Sequence, residues 1–422
     1  MSFVPGRAAV VVALAAVLIG LVAAPAPAAG PARSVNLARS TTPDPIPDPT
    51  TGAVPEGASV ITLGKAPTGY TLGRPDVLVT TSGTTLITWH GSGQVPDRLY
   101  LVRRTSTGPS FAVVPIPPGV LTNLTQPSLT EDRARHRLLL TAGGYTTGTG
   151  NVGLYVWVST DDGRSWAAPR RVWDSFATGQ VAVDGVGGFY AITDLTGVSV
   201  THVAASLALQ HWPAKDIILT DRLGSRGDID LTTTGPARQL LVGWGSSDHR
   251  AWVHVSATPG SGRDVEVMTG LSGGGGVQLA GDAKGAVLVA LREISGPTGR
   301  VVRLYASRLT TGSGTSGVFA PRAISPVGEG VTSMSAAPVL TAAGAETGTF
   351  VIAWLDWNDR LRTAHSTSAS AADPRWSAPQ TVVAFPHGTY RFPAAPTTSA
   401  RWTALDGTDA NLRQLVMGVR MP

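Results

Sequence analysis

The sequence predicts an all-β fold, and within that class a β-propeller of four-stranded blades, with seven blades favoured over six. A strongly apolar strand recurs along the chain, and shorter strand candidates precede and follow most copies. The chain also has 50 glycines among its 422 residues, which is typical of short strands joined by frequent turns. A repeat this long is not explained by a sandwich or a barrel.

The recurring strand has seven copies, spaced by roughly 50 residues, near the upper end for propeller blades. A further strand candidate at residues 59–63 precedes the first copy, while the seventh unit lacks outer strands at its C-terminus. We expect this early strand to complete the last unit, so that no sheet edge stays open. The seven copies are residues 85–89, 137–141, 188–193, 239–244, 286–291, 349–354 and 414–419.

The N-terminus predicts export. Arg7 precedes an almost continuously apolar run at residues 8–24, and small residues around Pro25 offer cleavage sites. We assign residues 1–30 to a signal peptide, 31–57 to a Pro/Thr-rich linker and 58–422 to the propeller domain. An uncleaved N-terminal anchor is the alternative. We expect the mature protein to be extracellular, monomeric and without a membrane span.

Composition excludes several classes of function. The net charge of +5 is scattered rather than clustered, so we expect no nucleic-acid partner. The absence of cysteine excludes disulfides, thiolate metal sites and a cysteine nucleophile. None of the eight histidines pairs with another at a familiar ligand spacing. We therefore assign no metal site and no cofactor. Bound calcium stays open, because loop carboxylates are numerous, although no EF-hand or glycine-rich calcium repeat appears.

The stretch at residues 153–169 combines an apolar strand with a tight polar turn. Ser159 and Asp161 can accept hydrogen bonds from turn amides, Gly163 can adopt a left-handed conformation, and Trp166 can pack its ring over the hairpin. This turn resembles the Asp-box, a structural and non-catalytic hairpin of sialidase-like β-propellers. The resemblance implies that fold, and it does not indicate what the protein does.

Four arginines are candidates for binding a substrate carboxylate. The segment around Arg74 resembles the Arg-Ile-Pro motif of sialidases, although it lacks the isoleucine. The resemblance implies an arginine triad in which Arg292 is the second member and Arg360 or Arg362 is the third. The guanidinium group suits this role because it pairs with a carboxylate through two parallel hydrogen bonds. An inter-blade salt bridge is the alternative role for Arg74.

The same resemblance implies Asp97 as the acid/base and Tyr390 as the nucleophile. A tyrosine nucleophile needs a neighbouring glutamate to take its proton, because a free phenol is barely ionised at neutral pH. Residues 273–276, where that glutamate is expected, are all glycine. An ordinary glycosidase would instead need two facing carboxylates. The candidates on inner strands and loops are Asp76, Asp97, Asp132, Asp184, Asp228, Asp230 and Asp282.

Three functions remain open on the sequence alone. We favour a secreted sialidase-like propeller that binds a glycan or another cell-surface ligand through its central face. An exo-glycosidase of the sialidase type is the second reading, weakened by the missing glutamate and the extra blade. A purely structural or protein-binding propeller is the third, because fold alone does not decide function.

Overall fold

A computed structural model of the chain describes most of the region after residue 59. The described residues are 60–66, 71–92, 97–108, 110–117, 121–122, 124, 127–146, 152–174, 179–194, 198–203, 215–220, 224–258, 261–272, 276–296, 299–310, 317–318, 320–341, 344–366, 375–385, 397–399, 401–408 and 414–421.

Within the described residues, the strands form seven antiparallel sheets, numbered here in chain order. Sheet 1 contains β2 (Thr71–Val79), β3 (Thr85–Ser92), β4 (Arg98–Arg104) and β5 (Ala112–Val113). Sheet 2 contains β6 (Leu121–Thr122), β7 (Ser128–Asp132), β8 (Arg137–Thr146), β9 (Val152–Ser159) and β10 (Arg170–Trp173), with a 3-10 turn at Arg133–Arg135. Sheet 3 contains β11 (Val181–Val183), β12 (Phe189–Asp194), β13 (Val198–Val203) and β14 (Lys215–Thr220).

The later sheets follow the same plan. Sheet 4 contains β15 (Gly224–Thr234), β16 (Gln239–Ser246), β17 (Arg250–Thr258) and β18 (Ser261–Thr269). Sheet 5 contains β19 (Val277–Asp282), β20 (Gly285–Gly296), β21 (Gly299–Thr310), β22 (Gly317–Val318) and β23 (Arg322–Ala323). Sheet 6 contains β24 (Val331–Leu340), β25 (Glu346–Asp356), β26 (Arg360–His365) and β27 (Gln380–Ala384). Sheet 7 contains β28 (Thr397–Ser399), β29 (Trp402–Thr408), β30 (Gln414–Arg420) and β1 (Val60–Lys65).

The inner strands of the sheets follow one another around a single axis. Each of β2, β7, β11, β15, β19 and β24 contacts the inner strand of the next sheet, and β28 contacts β2. Each sheet has a path of four strands, to which sheets 2 and 5 add one short strand. This cyclic series of antiparallel sheets is the architecture of a β-propeller. The prediction of an all-β propeller with four-stranded blades is confirmed. We call the turns between inner and second strands AB turns, and those between second and third strands BC turns; the two sets lie at opposite ends of the sheets.

Sheet 7 differs in one respect from the sequence prediction. The segment 414–419 was expected to be the second strand of its unit, like the other copies of the repeat. In the structure it belongs to β30, the third strand, and β29 occupies the second position. The prediction failed because β29 reads WTALDGT, whose polar and glycine residues interrupt the apolar pattern. The outermost position is filled by β1, which pairs with β30 from Val60↔Val419 to Lys65↔Leu415, as expected from residues 59–63.

The apolar core lies between neighbouring sheets. Leu86 and Leu101 of sheet 1 share one cluster with Leu138 and Leu140 of sheet 2. A larger cluster joins sheets 5 and 6 around Trp354, which is fully buried. Each sheet therefore buries both faces against its neighbours, and the sheets stabilise one another through these contacts.

Candidate functional site

A cavity of about 410 Å³ lies on the axis of the ring. Every sheet contributes residues of its inner strand to the wall, from Val77 of β2 to Thr398 of β28. The wall continues into the AB turns, where Ala134, Gly185 and Pro236 line it. This volume lies within the usual range for small-ligand pockets. The cavity is therefore the concave site that the fold itself creates.

Two arginines and two glutamates line the cavity at the AB turns. The guanidinium groups of Arg133 and Arg238 both contact Oε1 of Glu346, at 2.7 and 2.9 Å. The other oxygen of Glu346 accepts a hydrogen bond from the Ala283 amide at 2.6 Å. Burial would raise the pKa of Glu346, but this amide and the two arginines lower it overall. Glu346 is thus an ionised carboxylate that joins sheets 2, 4, 5 and 6 across the axis.

Glu131 anchors the same network to sheet 1. Its two carboxylate oxygens accept hydrogen bonds from the amide and the hydroxyl of Thr81, at 2.9 and 2.5 Å. Glu131 also lies 3.5 Å from Nε of Arg133. The side chains of Arg133 and Arg238 keep 33% and 23% of their surface exposed. Charged donors and acceptors therefore line this end of the cavity. We call these four side chains the mouth cluster.

Asp76 and Asp230 each lie one residue before an inner-strand residue of the cavity wall, Val77 and Leu231, but they do not line the cavity themselves. Each carboxylate binds its own strand and the next sheet. The amides of Val77 and Leu129 donate to Asp76 at 2.9 and 2.7 Å. The amides of Leu231 and Leu279 donate to Asp230 at 2.8 and 2.7 Å. Both residues thus join the inner strands of neighbouring sheets.

Both carboxyl groups are more basic than usual. Burial raises the pKa of Asp76 to about 6, against the opposing effect of hydrogen bonds from Leu129, Val77 and Ser128. Burial and, to a smaller extent, the charge of Asp76 raise the pKa of Asp230 to about 7, against the opposing effect of its two amide hydrogen bonds. Carboxyl groups that titrate near neutral pH are candidates for proton transfer where a substrate can reach them.

The turn after β9 adopts the expected local geometry. Oγ of Ser159 accepts a hydrogen bond from the Gly163 amide at 2.9 Å, and Gly163 has a φ of 78°. Asp161 accepts hydrogen bonds from the amides of Arg164 and Ser165 at 3.0 and 2.9 Å. Burial would raise the pKa of Asp161, but these bonds and those of neighbouring hydroxyls lower it to about 2. The turn is therefore a stable structural feature.

The same turn also contacts the neighbouring sheet, which sequence reasoning missed. Asp162 pairs with Arg103 of sheet 1 at 2.9 Å and accepts a hydrogen bond from Ser82 at 2.9 Å. Trp166 is buried in the core cluster shared by sheets 1 and 2. The hairpin of sheet 2 thus stabilises the interface between two sheets.

The candidate arginines of the later sheets each contact residues nearby. Arg362 donates from Nη1 to both oxygens of Glu329 at 2.7 Å. Arg360 donates to Asp356 at 2.7 Å and lies 3.4 Å from Glu329. Arg292 lies over the ring of Tyr305 in its own sheet, 5.4 Å from the ring centroid. The structure thus places Arg360 and Arg362 together, and both are already paired with carboxylates.

The remaining candidates are placed less completely. The carboxylate of Asp97 accepts a hydrogen bond from the Leu124 amide at 3.0 Å, which connects sheets 1 and 2. Arg74 lies in β2, but its side chain is outside the described part of the structure. Tyr390 also lies outside the described residues. Their roles in binding or catalysis stay predictions.

Sequence reasoning did not single out the four side chains of the mouth cluster. A usable signal exists, because each lies on or beside the turn that follows an inner strand. Glu131 and Arg133 flank Asp132, while Arg238 directly precedes the second strand of sheet 4 and Glu346 begins the second strand of sheet 6. Their convergence depends on the closure of the ring, which brings together residues more than 200 positions apart.

The described residues contain no group of three or more His, Asp or Glu side chains placed to hold a metal ion. They also contain no helix that is long and apolar enough to cross a bilayer.

No protein-family model matches the chain, and no curated protein matches it. Solved structures with a similar fold include a protein from Lactobacillus plantarum. It is 15% identical with a TM-score of 0.46, and the match covers 83% of this chain and 97% of that one. An α-L-arabinofuranosidase from Fusarium graminearum is 14% identical with a TM-score of 0.43, and the match covers 86% of this chain and 97% of that one. The fucose-specific lectin from Aleuria aurantia is 13% identical with a TM-score of 0.42, and the match covers 78% of this chain and 100% of that one. At TM-scores below 0.5, these likenesses assign neither a family nor an activity to this chain.

Proposed function

We propose that this protein is an exported propeller that binds a glycan, or another extracellular ligand rich in hydroxyl groups, at the AB end of its axial cavity. The mouth cluster carries this proposal. It presents both hydrogen-bond donors and acceptors, and its two arginines and two glutamates balance in charge. Hydroxyl groups act as donor and acceptor at once, so they suit such a surface.

Several finer features belong to the same proposal. We take each of the seven sheets as one blade, with β1 closing the ring, and the hairpin at Ser159–Trp166 as an Asp-box of the sialidase-like kind. We assign export to residues 1–30, followed by cleavage, and a monomeric mature protein. The observation behind export is the apolar run after Arg7. Mass spectrometry of the protein in the culture medium tests it, since an N-terminus at Met1 would contradict cleavage.

A second candidate function is glycoside hydrolysis, and one observation favours it. Asp76 and Asp230 both carry pKa values raised toward neutrality, to about 6 and about 7. A hydrolase needs one carboxyl group that holds a proton and another that is ionised. However, both oxygens of each group already bind backbone amides. That arrangement favours a structural role, so binding without turnover ranks first.

One set of measurements separates the two functions. The exported protein is applied to immobilised glycans and, in parallel, to a panel of fluorogenic aryl glycosides that includes a sialoside. We expect glycan binding and no turnover. Arg238→Ala should weaken binding by about tenfold, because a charge-assisted hydrogen bond is worth roughly 1.5–3 kcal/mol. Arg164→Ala, in the exposed turn after β9, should leave it unchanged.

The outcomes are distinct. Binding that is equal in Arg238→Ala and the wild-type protein would contradict the site. Turnover that is abolished by Asp76→Asn or Asp230→Asn would replace the first function with the second. An absence of both binding and turnover would contradict both.

A further inference from the structure

Trp357 is an exposed aromatic side chain on the end of the ring opposite the mouth cluster. It lies in the BC turn of sheet 6, between β25 and β26, and 56% of its surface is exposed. In the described part of the chain, the other large apolar side chains of comparable exposure are valines, at positions 113, 186 and 327. Tryptophan is enriched at binding interfaces, because its ring offers a large apolar face together with a polar N–H group.

One face of the indole ring packs against Gly330. A Cβ added at Gly330 would lie 2.0 Å from Cδ2 and 2.1 Å from Cε2 of Trp357, the two atoms shared by its fused rings. The ring therefore lies flat against Gly330, where no larger residue fits. The amide of Trp357 also donates to the Gly330 carbonyl at 3.0 Å. One face of the ring is thus packed on the backbone, and the other remains open.

The turn itself does not require a tryptophan. The BC turn of sheet 4 has the same form, because His249 and Asp359 both have positive φ values, 61° and 56°. In each turn the amide of that residue donates to the carbonyl three positions earlier, at 3.0 Å. Sheet 4 carries an exposed Ser247 at the position of Trp357. Folding of this turn therefore does not explain the aromatic side chain.

Polar side chains are close neighbours of Trp357 and Gly330 along the chain. Arg360 and Glu329 are partly exposed, at 30% and 21% of their side chains, and the neighbouring Asn358 is exposed. The guanidinium groups of Arg360 and Arg362 are balanced by the carboxylates of Glu329 and Asp356. This rim offers donors and acceptors without an excess of positive charge.

We propose that Trp357 is the platform of a second carbohydrate subsite, where a neutral sugar ring stacks on the indole and the Glu329–Arg360 pair and Asn358 bind its hydroxyl groups. The inference rests on the proposed glycan-binding function, but it assigns a separate site and a class of sugar. The apolar face of a pyranose matches an exposed indole. A sugar that carries a carboxylate suits this rim less well, because Arg360 and Arg362 are already paired with carboxylates of the protein.

The test uses native gels that contain one soluble polysaccharide each. Neutral gels contain a β-glucan, a mannan or an arabinogalactan, and acidic gels contain polysialic acid or alginate. We expect at least one neutral polysaccharide to retard the full exported chain. Trp357→Ser, which reproduces the turn of sheet 4, should weaken this retardation about tenfold or more. Trp357→Phe should retain part of it, because phenylalanine keeps an aromatic face.

Two control variants separate this site from the mouth cluster. Val186→Ser removes an exposed apolar side chain from an AB turn and should not change retardation. Arg238→Ala reports on the axial cavity. Retardation that is sensitive to Arg238→Ala but not to Trp357→Ser would overturn the subsite and leave the proposed function standing. Retardation by acidic polysaccharides alone would overturn the subsite, and retardation by none would overturn both.

Discussion

Asp76 and Asp230 join neighbouring sheets of the ring, and their contribution to the stability of the fold depends on pH. Each accepts one backbone hydrogen bond from its own strand and one from the inner strand of the next sheet. These bonds favour the ionised form, yet burial outweighs them and raises both pKa values. Loss of water from a carboxylate usually costs more than two hydrogen bonds return. The two residues therefore hold protons that free aspartates would release.

The raised pKa values predict a loss of stability as pH rises. Between the unfolded value of 3.8 and the folded values of about 6 and about 7, the native state binds more protons than the unfolded chain. The stabilising contribution is complete below pH 4 and is lost as pH rises to 7, by about 1.4 kcal/mol per unit of pKa shift. Urea unfolding of the wild-type protein from pH 4.5 to 8.5 should show this decline.

Asp230→Asn should flatten that pH dependence, because the amide does not titrate. Its absolute stability should fall at low pH, since the amide nitrogen cannot accept one of the two backbone hydrogen bonds. Asp174→Asn, which alters a carboxylate with 83% of its side chain exposed, serves as the control and should keep the wild-type slope. An Asp230→Asn profile parallel to that of the wild-type protein would show that Asp230 does not titrate in this range.

The limits of sequence reasoning are clear for individual residues. The roles of Ser159, Asp161 and Gly163 could be read from the sequence because their hydrogen bonds lie within one turn. The contact of Glu346 with Arg133 could not, because it joins residues 213 positions apart. The exposure of Trp357 could not be read either, since a sequence does not show which aromatic side chain packs on Gly330.

At the scale of single elements, the hairpin between β9 and β10 has two separable roles. Asp161 closes the turn, and Asp162 connects it to Arg103 of the neighbouring sheet. Sequence reasoning found the first role from the residue types and missed the second, which depends on the neighbour. Strand order shows the same limit, because β29 has too few apolar residues to be recognised before the ring is closed.

Asp161→Ala should destabilise the folded protein by roughly 1–2 kcal/mol, the range seen when a residue that caps several backbone amides is truncated. The expected cause is the loss of acceptors for the amides of Arg164 and Ser165. Thermal unfolding measures the effect, with Arg164→Ala as the control in the same turn. A melting temperature equal to that of the control would show that the turn does not depend on Asp161.

At the scale of the whole molecule, the ring is closed by a strand from the opposite end of the chain. β1 pairs with β30 in antiparallel register, so sheet 7 combines the first strand with the last three. Leu63 is buried, and Gly64 lies against the ring of Trp89 in sheet 1. The N-terminal strand therefore joins sheets 7 and 1 and covers the edge of β30.

Removing β1 should destabilise the entire ring rather than sheet 7 alone. A chain that begins at Thr71 loses the pairing with β30 and the burial of Leu63, which is worth roughly 2 kcal/mol by itself. It also exposes a strand edge that invites association between molecules. We expect a lower melting temperature and concentration-dependent aggregation by light scattering.

The matched control is a chain that begins at residue 58, which keeps β1 and should unfold like the full exported protein. A synthetic peptide spanning residues 58–66 should restore part of the stability when added to the shorter chain, because it can pair with the open edge of β30. If the chain from Thr71 were monomeric and as stable as the control, closure by β1 would contribute nothing to the ring. The stability of a propeller with this topology depends on whether its two chain ends meet, since every other sheet relies on neighbours at both sides.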